Sequence, residues 1–146
     1  MAFRFTLAAV LKLREGLEKQ EYSKLLRVRK EIADIEGAIQ ANWDHELLAE
    51  EKRKAELGRG MPASHLQDLY EKAHTLQKQR EILKVTLKET ETKREEQLKR
   101  YRAARQGREM LDKLRVKQYS EYLQEKNKQE QALVDDLFLA RLKRHN

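Results

Sequence analysis

The sequence predicts an all-α protein, a long antiparallel two-helix coiled-coil hairpin, on three observations. One short stretch containing glycine and proline interrupts a chain otherwise written in helix-forming residues. Apolar residues recur at alternating three- and four-residue steps on both sides of it. Charged residues make up 39% of the 146 residues and aromatics 6%, with a mean hydropathy of −0.95, which leaves too little apolar material for a thick globular core. Disorder does not fit, because there are only five glycines and one proline. The remainder is rich in Leu, Ala, Glu, Lys, Arg and Gln, the residues that lose least on entering a helix, and this is coiled-coil composition.

The interruption runs from Gly58 to Ser64. Gly58 and Gly60 can take the positive-φ conformation that ends a helix. Pro62 lacks a backbone donor and biases Met61 away from helical geometry. Ser64, with Gln67 three residues on, has the spacing of a capping box opening a second helix. The expected organisation is therefore a single domain over residues 1–146, with a first helix over about 3–57, a turn over about 58–63 and a second helix over about 64–140.

In the first arm Leu7, Val10 or Leu11, Leu13 or Arg14, and Leu17 lie on one helix face. Leu25, Val28, Ile32, Ile35 and Ile39 then alternate steps of three and four, the a and d positions of a heptad seam. Asn42 is the next seam position, and Trp43 and Leu47 beside it suggest that the stripe drifts by about one position, as in a straight helix. Residues 7–57 would span about 75 Å at ~1.5 Å per residue. In the second arm Leu66, Leu69, Ala73, Leu76, Arg80, Leu83 and Leu87 keep the rhythm. Thr90, Arg94 and Gln97 dilute it, so pairing should be weakest there. Folding back about the turn pairs residues whose numbers sum to roughly 121, leaving those beyond about 118 without a first-arm partner. Tyr119, Tyr122, Leu123, Leu133, Leu137 and Phe138 would give this segment something to pack with. Gly16 and Gly107 fall nearly opposite each other, where the helices could cross closely.

The formal net charge of +7 is distributed unevenly. Between Lys93 and Lys117 ten Lys or Arg face four acids, Glu95, Glu96, Glu109 and Asp112. Such a strip either is a solvated helix face or attracts nucleic acid, anionic lipid or an acidic protein. Catalysis is not expected, since a two-helix seam has no water-excluded pocket. The Gly58-x-Gly60 pair lacks the strand and third glycine of a dinucleotide fingerprint. No histidines among His45, His65, His74 and His145 stand four apart as metal ligands do, and Ser23, Ser64 and Ser120 have no histidine at a telling spacing. No cofactor or metal is expected. The absence of cysteine suits a reducing compartment, no apolar run approaches a membrane span, and the N-terminus lacks the apolar centre of a signal peptide, so a cytoplasmic protein is expected. Trp43, the single tryptophan, is either seam packing or an exposed anchor.

Three stretches resemble the FliJ family of flagellar type III export proteins, whose injectisome counterparts are the YscO-like stalk proteins. They are Phe5-x-Leu7-x-x-Val10-Leu11-x-x-Arg14-x-x-x-Glu18, the central Gly58-x-Gly60-Met61 with Leu66, Tyr70 and Leu76 after it, and Glu109-x-Leu111-x-Lys113-Leu114-x-x-x-Gln118-x-x-x-Tyr122. The resemblance covers nearly the whole chain. It implies an antiparallel coiled coil similar to that of the rotary ATP synthase gamma subunit, without enzymatic activity. It also implies binding to the hexameric export ATPase FliI, promoting its assembly and activity, contact with the export gate protein FlhA, and association with FliH and export chaperones. The location implied is cytoplasmic, peripheral at the cytoplasmic face of the inner membrane. Carried onto this chain, the gate-binding surface near the turn comprises Ile39, Trp43, Leu47, Tyr70, Ala73 and Leu76. The ATPase-binding end comprises Leu7, Val10, Leu11, Arg14, Arg108, Leu111 and Arg115. The alternative is a coiled-coil adaptor that binds nucleic acid or an anionic surface through residues 93–117, and a homodimeric structural coiled coil is the third reading.

Overall fold

The computed structural model describes residues 2–145. It contains two helices, α1 over Ala8–Arg59 and α2 over Ala63–His145, and no strand among the described residues. The helices pack antiparallel as a hairpin. The break between them is shorter than the sequence suggests, because only Gly60, Met61 and Pro62 leave the helical state. Among the described residues Gly60 alone takes positive φ, +86°, a conformation that costs a residue with a Cβ roughly 1–2 kcal/mol. Gly58 stays inside α1, and the Gly60 amide donates back to the Leu57 carbonyl at 3.2 Å.

The capping box does not form. Helix α2 begins one residue before Ser64, and the Pro62 carbonyl accepts from the amides of His65 (3.1 Å) and Leu66 (3.2 Å). Proline suits this place, since its missing donor would be orphaned in the first turn anyway. At the other extremes, α1 starts at Ala8 rather than near residue 3, while α2 continues past 140 to His145. Residues 140–145 contain no glycine or proline to break α2, and residues 2–5 are irregular.

Contacts divide the chain into two compact units, Glu21–Tyr101 and Met1–Gln20 with Arg102–Asn146. In the unit of Glu21–Tyr101 the expected register holds. Glu56 meets His65, Arg53 lies over Tyr70, Asn42 bonds the Leu76 carbonyl and Glu21 meets Gln97. The seam of α1 proceeds from Leu25, Val28, Ile32, Ile35 and Ile39 to Asn42, Glu46, Ala49, Arg53 and Glu56, all buried or half-buried. The heptad rhythm therefore runs without drift, and the expectation that the stripe shifts onto Trp43 and Leu47 is wrong. Both are exposed, at 46% and 58%. Supercoiling keeps a heptad seam facing its partner, so polar residues occupy the seam instead of the seam moving to find apolar ones.

Three polar layers result, each internally satisfied. Asn42, Arg80 and Glu46 form one. Gln97 donates to the Glu21 carbonyl at 3.0 Å and to the Glu21 carboxylate, forming the second. Thr90 is 4% exposed and donates to the Thr86 carbonyl at 2.8 Å, forming the third. The stretch of Thr90, Arg94 and Gln97, expected as the weakest pairing, thus holds two buried residues, Thr90 and Gln97. No buried side-chain nitrogen or oxygen lacks a partner among the described residues. The apolar core is thin, with Leu25 at 1% exposed and Ile32 at 6%, each contributing about 1.5–3 kcal/mol by burial.

In the other unit Leu7 and Leu11 of the first arm and Leu111, Leu114, Gln118 and Tyr122 of α2 turn inward. Phe3 packs on Tyr119 and Tyr122, with ring centroids 5.1 and 5.5 Å apart. Tyr119 and Tyr122 therefore do meet a first-arm residue, just beyond the expected limit of about 118. The chain before Ala8 is not helical, and a non-helical chain advances up to ~3.3 Å per residue against ~1.5 Å in a helix, so Phe3 reaches past the helical register. The expected close crossing of glycines is absent, because Gly16 has open space around it while Gly107 is covered by the Arg14 side chain. From Leu123 to His145 every residue of α2 is exposed. No helix among the described residues is long and apolar enough to cross a membrane.

Candidate partner-binding surfaces

The six residues assigned to the turn-proximal surface divide into two groups. Ile39, Ala73 and Leu76 are half-buried in the seam, where they hold α1 and α2 together and have little left to offer a partner. Trp43, Leu47 and Tyr70 stand outside it, at 46%, 58% and 56% exposed. Both aromatics carry an arginine from a seam position of the facing helix. The Arg80 guanidinium lies 3.5 Å from the Trp43 ring centroid, and that of Arg53 lies 5.4 Å from the Tyr70 centroid.

Arg80 is the unexpected member of this site. It is 6% exposed, a burial that a guanidinium tolerates only when paired and hydrogen-bonded. Its Nη1 donates to Asn42 Oδ1 at 3.2 Å and to the Glu46 carboxylate, while Asn42 Nδ2 donates to the Leu76 carbonyl at 3.0 Å. Periodicity placed Arg80 in the seam, but its three partners were not read from it. The available signal was the register itself, which sets Asn42, Trp43 and Glu46 of α1 against Arg80. On this unit a groove is lined by His45, Ala49, His65, Asp68, Lys72 and Ala73, where two small seam residues leave the flank unfilled.

The seven residues assigned to the terminal surface also divide. Leu11 is 5% exposed, and Leu7 and Leu111 are half-buried, so they form the core of that unit. Val10 is 41% exposed and Arg14 lies over Gly107. Arg108 is engaged internally. Its Nε and Nη2 donate to the two carboxylate oxygens of Glu18, the second at 3.4 Å, and its Nη1 donates to Asp112. Hydrogen bonding to Glu18, then to Asp112, raises its already high proton affinity, so it is a fixed cation locking α1 to α2. Arg115 is the more available charge, half-exposed with Asp112 at 3.8 Å. Glu109 is taken by Arg105 at 2.9 Å. Among the described residues Arg102, Lys113 and Lys117 make no ion pair, so this end is an exposed cationic surface over an internally neutralised seam.

Elsewhere the titratable groups are dispersed. His65 bridges to Glu56 at 2.8 Å across the turn, and no group of three His, Asp or Glu converges as a metal site would among the described residues. The Glu21 carboxyl is held below the ordinary carboxylate range, chiefly because the Gln97 amide donates to it, with nearby Lys24 and Arg100 adding to the effect.

The antiparallel helical hairpin is the fold that the resemblance implied. The sequence model of one protein family, described as Flagellar FliJ protein, matches residues 3–146. No curated protein and no solved structure matches the chain. With a family match over essentially its whole length, the chain belongs to the FliJ family of flagellar proteins.

Proposed function

We propose that the chain, a component of the flagellar export apparatus by its family, acts without chemistry of its own. It binds the export ATPase FliI through the unit containing its termini and contacts the export gate protein FlhA through the unit containing the turn. The observation that carries this reading is the contrast between the two units. One displays the cations Arg102, Lys113, Arg115 and Lys117 and the exposed Val10, and the other displays Trp43, Leu47 and Tyr70. Neither set is consumed by the seam, and exposed aromatics are the residue types most enriched at the energetic centres of interfaces. Association with FliH and export chaperones, and a place at the cytoplasmic face of the inner membrane, follow from the same reading.

ATP hydrolysis by the cognate ATPase, titrated with this chain, tests it. Stimulation by the wild type, reduced in Lys113→Glu/Lys117→Glu, is the expected result. These two lysines make no ion pair, so their reversal leaves the hairpin folded. No stimulation by a helical, folded wild type contradicts the proposal.

The second reading, an adaptor for nucleic acid, draws on the same cations. The pairing of Glu18, Glu109 and Asp112 with Arg105, Arg108 and Arg115 leaves the remaining positive charge uncompensated. It requires salt-sensitive binding to duplex DNA, and no binding above about 0.1 M salt dismisses it.

A further inference from the structure

Trp43 is at once the most conspicuous exposed aromatic of the turn-proximal unit and the cover over its most deeply buried charge. The guanidinium of Arg80, 3.5 Å from the ring centroid, occupies one face of the indole. That guanidinium is itself held by Asn42 and Glu46, and Asn42 is anchored to the α2 backbone at Leu76. A chain of contacts therefore runs from the backbone of one helix to the plane of the indole on the other. An unsupported tryptophan at a flanking helix position would sample several rotamers and lose that freedom on binding, at a cost to affinity. Here the ordering is done in advance.

We propose that Arg80 is a positioning residue for the partner surface, fixing Trp43 so that one indole face is filled from within and the remainder is presented outward. The inference rests on the reading that Trp43 contacts the export gate protein. The surroundings also define the chemistry of the segment that docks there. Leu47 is one helical turn from Trp43 on the same face and 58% exposed. The Lys84 ammonium lies 5.8 Å from the indole centroid and makes no ion pair among the described residues. An apolar side chain accompanied by a carboxylate within about one turn of helix satisfies both features.

Arg80 can be removed without unfolding the seam. Removing one partner of a buried ion pair costs stability where the other stays buried, and Asn42 Oδ1 loses its donor; Glu46 is partly exposed, so water replaces its lost partner and limits the cost. Quenching is therefore read well below the melting temperature, where the helices are intact, which separates positioning from stability. Because Trp43 is the single tryptophan, its fluorescence in the full chain reports this site alone. In Arg80→Leu the acrylamide quenching constant is expected to rise about twofold as the covered indole face opens, with a lower melting temperature. Arg80→Lys keeps the charge but loses the plane that stacks, and the same rise is expected. Wild-type quenching in both variants, with the helices intact, overturns the assignment.

Binding to the gate protein is measured on the same samples. Trp43→Ala and Arg80→Leu are each expected to weaken it about 5- to 10-fold. If Trp43→Ala binds normally while quenching responds to Arg80, positioning stands and the gate contact falls. If Trp43→Ala weakens binding and Arg80→Leu does not, the gate contact stands and positioning falls. Lys84→Glu is expected to weaken binding severalfold at low salt and less at high salt. An unchanged affinity removes the carboxylate from the docking segment.

Discussion

Leu25→Ala is the sharpest test of the seam. Leu25 is the one side chain among the described residues that is less than 2% exposed, in a unit where every other apolar residue retains some contact with solvent. Truncation deletes apolar volume worth about 2 kcal/mol at ~0.8 kcal/mol per methylene. In a rigid core the residual cavity brings such changes up to ~5 kcal/mol. A two-helix seam is open on both flanks, so water or a small helix shift fills most of the space, and roughly 2–3 kcal/mol is expected. For a chain of this size ~1 kcal/mol moves the melting temperature by about 2–4 °C, which gives a loss of roughly 5–10 °C. Helical circular dichroism during heating is the assay. Leu26→Ala is the internal control, since Leu26 neighbours Leu25 in sequence but is 46% exposed and should cost under ~0.5 kcal/mol. Equal shifts in the two variants, or less than about 1 °C for Leu25→Ala, would mean that the seam is not where the packing places it.

Three further outcomes are expected. Arg108→Glu sets a third carboxylate against Glu18 and Asp112 and should lower the melting temperature well beyond Arg115→Glu, whose charge is half-exposed; similar melting of the two contradicts the internal lock. Gly60→Ala should cost about 1–2 kcal/mol through its positive φ alone, because nothing lies within 4 Å of a Cβ there, while Gly58→Ala should be harmless or mildly stabilising in denaturant titration. The lowered proton affinity of the Glu21 carboxyl in the fold means that its stabilisation is complete above the carboxyl's unfolded-state pKa and is lost as pH falls through the folded value. The melting difference between wild type and Glu21→Gln should thus be present at neutral pH and vanish in acid, and a difference that persists under acid rules out the carboxylate as its source.

The hairpin was legible because a heptad repeat and a lone proline leave few alternatives. Leu25, Val28, Ile32, Ile35 and Ile39 announce their shared face by spacing alone. The same rhythm, followed strictly beyond Asn42, puts Glu46, Arg53 and Glu56 in the seam as well. Preference for apolar residues led instead to Trp43 and Leu47, and the error is instructive. Periodicity outranked hydrophobicity because Asn42, Glu46, Arg53 and Glu56 each meet a partner on the facing helix, and such partners cannot be seen in one helix's sequence. Arg80 looked like a flaw in a leucine stripe until Asn42, Glu46 and Trp43 were set against it. Ser64 and Gln67 had the right spacing for a cap, but Pro62 already supplied the first helical acceptor. Of the candidate surfaces, residue type was readable and exposure was not. Ile39, Ala73, Leu76, Leu7, Leu11 and Leu111 serve the seam, Arg108 serves the lock, and Trp43, Leu47, Tyr70, Val10 and Arg115 remain for partners.

The central claim is that the two units meet different partners. Hydrogen–deuterium exchange of the full chain, alone and with the export ATPase, tests it most directly. Protection confined to residues 3–20 and the facing part of α2 from about 102 onward, with the Trp43 and Tyr70 region unchanged, is the result the account expects. Protection centred on Trp43 and Tyr70, or none anywhere at saturating ATPase, would contradict it.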